Sequence, residues 1–318
     1  AQRLDYTSAR VAAQKQAKAG QVQKTLSDGT QILAQEDVAI DGHGTVQVGV
    51  IAFSDNSGDG LWDPREYIIY VPEGFEGKEL PVLMIYPGNT QTDSIFLDST
   101  LWWQIAEDEG IVLAFVCETY NASPCSVSHA DSDKFYHSLI TILEEQIDGS
   151  YADLDFTRIY GSGQSAGSMA TQGFVRTNPE FYAAAASTSG LAVPDGTSQL
   201  PEGAGGAMPD FVITGQSDLD NLMPDLWGSE MANEWITYLF DVNNMPDAQI
   251  GTADDEHEFI NDRTKVYTWE NSDGVPMVKY GYTLLRAHNC SPYEMPILWD
   301  FMEHFSFEKA EDGTITRY

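Results

Sequence analysis

The chain has 318 residues, with 49 acidic against 16 basic side chains and a formal net charge of −33 at pH 7. Such a surface repels nucleic acid and anionic lipid, so neither is an expected partner, and no apolar run of about eighteen residues is present to span a membrane. The length and a hydrophobic content of 42% suffice for a full core.

Residues 4–35, rich in Gln, Ala and Lys, read as a polar leader, amphipathic or irregular. Strand-like runs then recur at Val46–Phe53, Tyr67–Val71, Pro81–Tyr86, Ile111–Val116, Arg158–Tyr160, Ala183–Ser187, Asp210–Thr214, Lys265–Trp269 and Met277–Leu285. The middle ones are short and apolar throughout, as strands covered on both faces should be. Between them, Phe135, Leu139, Ile142, Leu143 and Ile147 recur at helical spacing, as do Leu298, Phe301, Met302 and Phe305. The alternation predicts an α/β fold, a mostly parallel central sheet with helices on both faces. The expected layout is an N-terminal extension, 1–64, packed on a catalytic domain, 65–318.

Between the first two strands, Asp55, Ser57, Asp59, Asp63 and Glu66 fall at positions one, three, five, nine and twelve of an EF-hand-type loop, with Gly60 at six. Its flanks read as strands, so an acidic hairpin loop competes with a structural calcium site; a calcium-dependent melting temperature would decide for the ion.

Gly163-Gln164-Ser165-Ala166-Gly167 follows the strand-like Arg158-Ile159-Tyr160 and precedes a proline-free run, Ser168–Val175, that reads as a helix. A Gly-x-Ser-x-Gly in that setting is a nucleophile elbow. The serine must stand clear of the sheet on a sharp turn, and side chains two residues either side would collide with neighbouring backbone. The helix that follows aims its positive end at the serine.

A serine needs a base, and the base an orienting acid. His43 sits in a turn, His137 beside an apolar helical stripe, His257 in an acidic loop and His304 on the last helix. His288 follows the last strand, where this architecture presents its base, and His129 is the alternative. Asp218 follows the buried-strand pattern Phe211–Gly215, with Asp220 the runner-up, and the order Ser165, Asp218, His288 is that of α/β-hydrolases. The tetrahedral intermediate needs two N–H donors. These are expected from Ala166 and, in the loop Pro87-Gly88-Asn89-Thr90, from Asn89. Trp227, after the acid loop, and Gln164, beside the nucleophile, are candidate substrate contacts, and segment 219–260 is a candidate partial lid.

With these segments in order, from Arg65-Glu66-Tyr67-Ile68-Ile69-Tyr70-Val71-Pro72 through Trp103–Val112 and Asp155–Tyr160 to Met277–His288, the chain resembles the polyhydroxybutyrate-depolymerase-like esterases. That α/β-hydrolase group also holds feruloyl and acetylxylan esterases. The likeness covers roughly residues 65–305. It implies a secreted serine esterase with Ser165, Asp218 and His288 as triad and no cofactor requirement, acting on small or polymeric esters. Feruloyl or acetyl esters of plant polysaccharide lead, a short-chain polyester is the alternative, and a serine peptidase of the same fold is a further one. Among the cysteines, Cys125 with Cys290, Cys117 with Cys125, or three thiols remain open, as does the oligomeric state.

Overall fold

The computed structural model describes residues 3–52, 64–89, 91–116, 129–194, 206–219, 230–252 and 261–317, of which 129–134 and 252 by backbone alone. Two compact units divide the chain, Ala1–Phe156 and Thr157–Tyr318.

The first unit opens on helix α1 (Thr7–Ala17), whose Ala9, Ala13 and Ala17 form a buried stripe at four-residue spacing and pack on strands β2 (Gln31–Ile40) and β3 (Gly44–Ala52). A two-residue strand, β1 (Lys24–Thr25), precedes β2, and β4 (Pro64–Pro72), β5 (Glu79–Tyr86), α2 (Asp93–Ser99), α3 (Trp102–Glu109), β6 (Val112–Val116) and α4 (His129–Ile142) follow. Within this unit the strands run in the order β1-β2-β3-β4-β6-β5. Pairs from β1 to β6 are antiparallel, and β5 lies parallel to β6. The leader expected at residues 4–35 is therefore a helix and the start of a long strand. Its alanine stripe and the wet second half of β2 conceal both, because neither presents the large apolar side chains that mark a period.

Strand β7 (Asp153–Gly163) carries the chain into the second unit. There follow α5 (Ala166–Thr177), β8 (Ala184–Thr188), β9 (Asp210–Gly215), α6 (Glu230–Val242), β10 (Thr264–Glu270), β11 (Pro276–Thr283) and α7 (Met295–Met302), then a small ribbon of β12 (Phe307–Lys309) and β13 (Ile315–Arg317). The order is β7-β8-β9-β11-β10. Strands β7, β8, β9 and β11 are mutually parallel, and β10 is antiparallel at the edge. Strand β8 and strand β9 are buried at every position, as strands covered on both faces should be. Helix α6 lays Ala232, Trp235, Ile236, Leu239 and Phe240 against a core that includes Val212, Val278 and Tyr280. The parallel register sets Gly215 opposite Thr283, so the loops after β7, β8, β9 and β11 leave the sheet at one edge. In parallel sheets that edge is where sites form. Helix α7 stops at Met302, so the expected apolar stripe runs past the helix at Phe305, and His304 lies beyond it, exposed.

Candidate active site

Ser165 stands at a sharp turn between β7 and α5. Ser165 holds φ 56° and ψ −120°, a backbone conformation few side-chain-bearing residues adopt. Its amide donates to the Thr188 carbonyl at the end of β8, 2.9 Å away. A Cβ on Gly163 would lie 2.2 Å from the Gly167 carbonyl oxygen, and one on Gly190 would lie 2.3 Å from the Ser165 carbonyl oxygen. The turn is thus closed on both sides by backbone, and only glycine fits. Gly163→Ala is expected to cost about 1–3 kcal/mol through overpacking and to lower activity with it. An unchanged denaturation midpoint would show that the turn has room to spare.

Ser165 Oγ lies 2.8 Å from His288 Nε2, and His288 Nδ1 lies 2.6 Å from Asp218 Oδ1. The imidazole is partly exposed, whereas the Asp218 side chain is wholly buried. Besides His288, Asp218 Oδ1 accepts the Leu219 amide at 2.8 Å, and Oδ2 accepts Ser189 Oγ at 2.6 Å and the Gly215 amide at 3.0 Å. Burial alone would raise this carboxyl. The hydrogen bonds from Ser189, Gly215, Leu219 and His288 outweigh it and hold Asp218 below the usual aspartate range. Ser165, Asp218 and His288 thus meet in one unit, 123 and 70 residues apart along the chain, each at the end of its own parallel strand.

Ala166 is the first residue of α5, where an amide has no acceptor inside its own helix. Gln164 is buried and bridges Thr188. Asn89 lies exposed in the turn after β5, in the first unit. Trp227 and Asp220 lie outside the described residues, as do Asp55, Ser57, Asp59 and Asp63 of the calcium-type loop, Cys117 and Cys125. Glu66, the twelfth position of that loop, is buried on β4 and accepts Arg10 Nε at 2.8 Å and Gln14 Nε2 at 3.1 Å, both from α1. Among the described residues Cys290 carries a free thiol; burial pushes it up to about 11. His43 closes the β2–β3 turn, with Nδ1 2.7 Å from Glu107 Oε1.

Sequence reasoning missed three side chains. Ser189 follows β8 with φ 55° and donates to the acid. Arg286 and Glu294, both buried, stand behind it. The signals were faint: Arg286 is a lone cation two residues before the base, and Glu294 closes a Ser-x-x-Glu capping box from Ser291.

No protein-family model matches the chain, and no curated protein matches it in sequence. Among solved structures, an acetyl xylan esterase from Aspergillus awamori is 14% identical with a TM-score of 0.57, covering 85% of this chain and 99% of its own. A glucuronoyl esterase from Solibacter usitatus is 14% identical with a TM-score of 0.56, covering 86% of this chain and 85% of its own. At such identity the likeness is one of fold. The chain has the α/β-hydrolase fold: its alternating strands and helices predicted the α/β class, and the elbow with the order Ser165, Asp218, His288 predicted the hydrolase form.

Proposed function

We propose that the protein is a secreted serine esterase that hydrolyses hydroxycinnamoyl or acetyl esters borne by plant polysaccharide. The observation that carries this is the Ser165–His288–Asp218 relay, with its serine on a strained elbow. His288 Nε2 takes the Ser165 proton as Oγ attacks the ester carbonyl. Asp218 holds the ring in the tautomer with a proton on Nδ1 and stabilises the imidazolium that forms. The amide of Ala166, at the first position of α5, receives the oxyanion. Collapse of the tetrahedral species expels the alcohol, which takes the proton from His288, and leaves an acyl-serine. Water attacks that acyl group by the reverse proton route and releases the acid. The reading calls on no cofactor. Its carbohydrate side is supported by the fold shared with an acetyl xylan esterase and a glucuronoyl esterase.

Initial rates on methyl ferulate, p-nitrophenyl acetate and butyrate, and a polyhydroxybutyrate suspension test it. Turnover of the ferulate or acetate is expected to lead. Depolymerisation of the suspension instead would make it a polyester hydrolase, and faster cleavage of p-nitroanilides than of esters a peptidase. No turnover of any of these, with Ser165 unlabelled by a fluorophosphonate, would end the proposal. Recovery of the native protein from the cytosol alone would remove its extracellular part.

A further inference from the structure

Behind Asp218 lies a second charged pair that the relay does not use. Arg286 is buried, and every arm of its guanidinium is engaged. Nε donates to Glu294 Oε1 at 2.6 Å, and Nη2 donates to the Ile213 carbonyl at 3.0 Å. Nη1 faces Ser189 Oγ at 2.5 Å, the Ala287 carbonyl at 2.9 Å and Asp218 Oδ2 at 3.3 Å, and also meets the Asn289 carbonyl. It therefore grips the base loop on both sides of His288. With Nη1 donating to its Oγ, Ser189 has its own proton to give, and Asp218 Oδ2 at 2.6 Å is a nearer acceptor than the Asn289 carbonyl at 3.2 Å.

Glu294 completes the arrangement. Its side chain is fully buried. Oε1 also accepts Thr283 Oγ1 at 2.5 Å, and Oε2 accepts the Ser291 amide at 3.2 Å. Every contact is one in which the carboxyl accepts, which suits the anion. Burial raises this group above the usual glutamate range, while Arg286, Thr283 and Ser291 pull it back. The other titratable groups facing the cluster are Tyr280 and Cys290, both kept neutral by burial. Arg263 reaches the Leu284 carbonyl from the exposed side.

The charge arithmetic gives the pair a purpose. A guanidinium 3.3 Å from Asp218 would by itself cancel the negative charge that a protonated His288 needs. We propose, on the serine-hydrolase reading above, that Glu294 is a positioning residue: it takes up the charge of Arg286, so that Arg286 can clamp the base loop while Asp218 remains the anion behind the imidazole. Ser189 is the proton-ordered link between clamp and acid.

Glu294→Gln leaves an unneutralised cation beside Asp218 and disfavours the imidazolium. The acidic limb of the kcat/KM profile therefore moves to lower pH, by about one unit for a charge at this range, and kcat falls. The double variant Arg286→Met/Glu294→Gln removes both charges and returns the limb to within a few tenths of a unit of the parent. A role confined to packing would lower activity without moving the limb, so a folded Glu294→Gln with an unshifted limb overturns the proposal, as does a double variant that fails to restore it. Ser189→Ala provides a check should Glu294→Gln not fold: kcat drops by roughly 3- to 30-fold with KM unchanged, and an unchanged kcat counts against the link. Fluorophosphonate labelling of Ser165 in the parent protein separates the two failures. Labelling with an immobile limb defeats this inference alone, whereas no labelling defeats the esterase reading beneath it.

Discussion

Replacing Ser165 by alanine is expected to lower kcat for ester hydrolysis by about 10⁵- to 10⁶-fold, the loss seen when the nucleophile of a triad is removed, with the protein still folded. The stability side of the same residue gives an independent reading. Holding a non-glycine residue at φ 56° and ψ −120° costs about 1–3 kcal/mol, and Ser165→Ala keeps that cost because it keeps a Cβ. Ser165→Gly removes it and gives back about 0.4–1 kcal/mol through the freer unfolded chain. The net gain of about 1 kcal/mol corresponds to a rise of roughly 2–4 °C in melting temperature. The glycine variant should thus be inactive and more stable than the parent, and the alanine variant inactive and no more stable. Parent-like turnover by Ser165→Ala would remove the nucleophile from the mechanism. A glycine variant melting below the alanine one would show that the elbow stores no strain.

The parts of this site legible in the sequence are those whose signal is local. Ser165 is marked by glycines that the backbone itself demands, and Asp218 and His288 by the strands that end just before them. The chain order then sorts them into roles. Arg286 and Glu294 carry no such mark. Glu294 is one of 49 acidic residues and Arg286 one of 16 basic ones, and only tertiary packing reveals that Thr283, Ile213 and Ser189 surround them. Strand β2 escaped notice for a related reason. Its first half is buried and its second half alternates between partly and fully exposed positions, so one strand presents two different patterns. Helix α1 packs through alanines, which bury little area and leave little periodic trace. Local chemistry is therefore readable where the backbone constrains residue type, and unreadable where distant segments supply the constraint.

The largest expected loss of stability lies at Trp235, because it joins the core of the second unit to the elbow. Its indole is fully buried on α6, with its ring 6.2 Å from that of Tyr280 on β11. Nε1 donates to Gln172 Oε1 on α5 at 2.7 Å. Gln172, buried in turn, accepts the Ala192 amide at 3.0 Å through the same oxygen. Its Nε2 donates to Ser168 Oγ at 3.0 Å and to the Gly190 carbonyl at 2.8 Å. Gly190 is the residue pressed against the carbonyl of Ser165. Trp235→Ala empties the place of one of the two tryptophans of this core and is expected to cost about 3–5 kcal/mol. Trp235→Phe retains most of the volume and loses the N–H. Gln172 Oε1 still has the Ala192 amide, so no buried acceptor is orphaned and the cost stays near 1–2 kcal/mol. Denaturation midpoints separate the two terms: equal losses in Ala and Phe would place the energy in the hydrogen bond, not in the packing. The kinetic consequence follows the same path. With the indole gone, Gln172 is free to shift and Gly190 with it, and a displacement of about 1 Å at a nucleophile can cost 10²-fold in rate. Trp235→Ala, assayed where it remains folded, should therefore lose kcat well beyond its unfolded fraction, while Trp235→Phe keeps most of it. If the folded alanine variant turned over substrate as fast as the parent, the elbow would be holding itself without the core behind it.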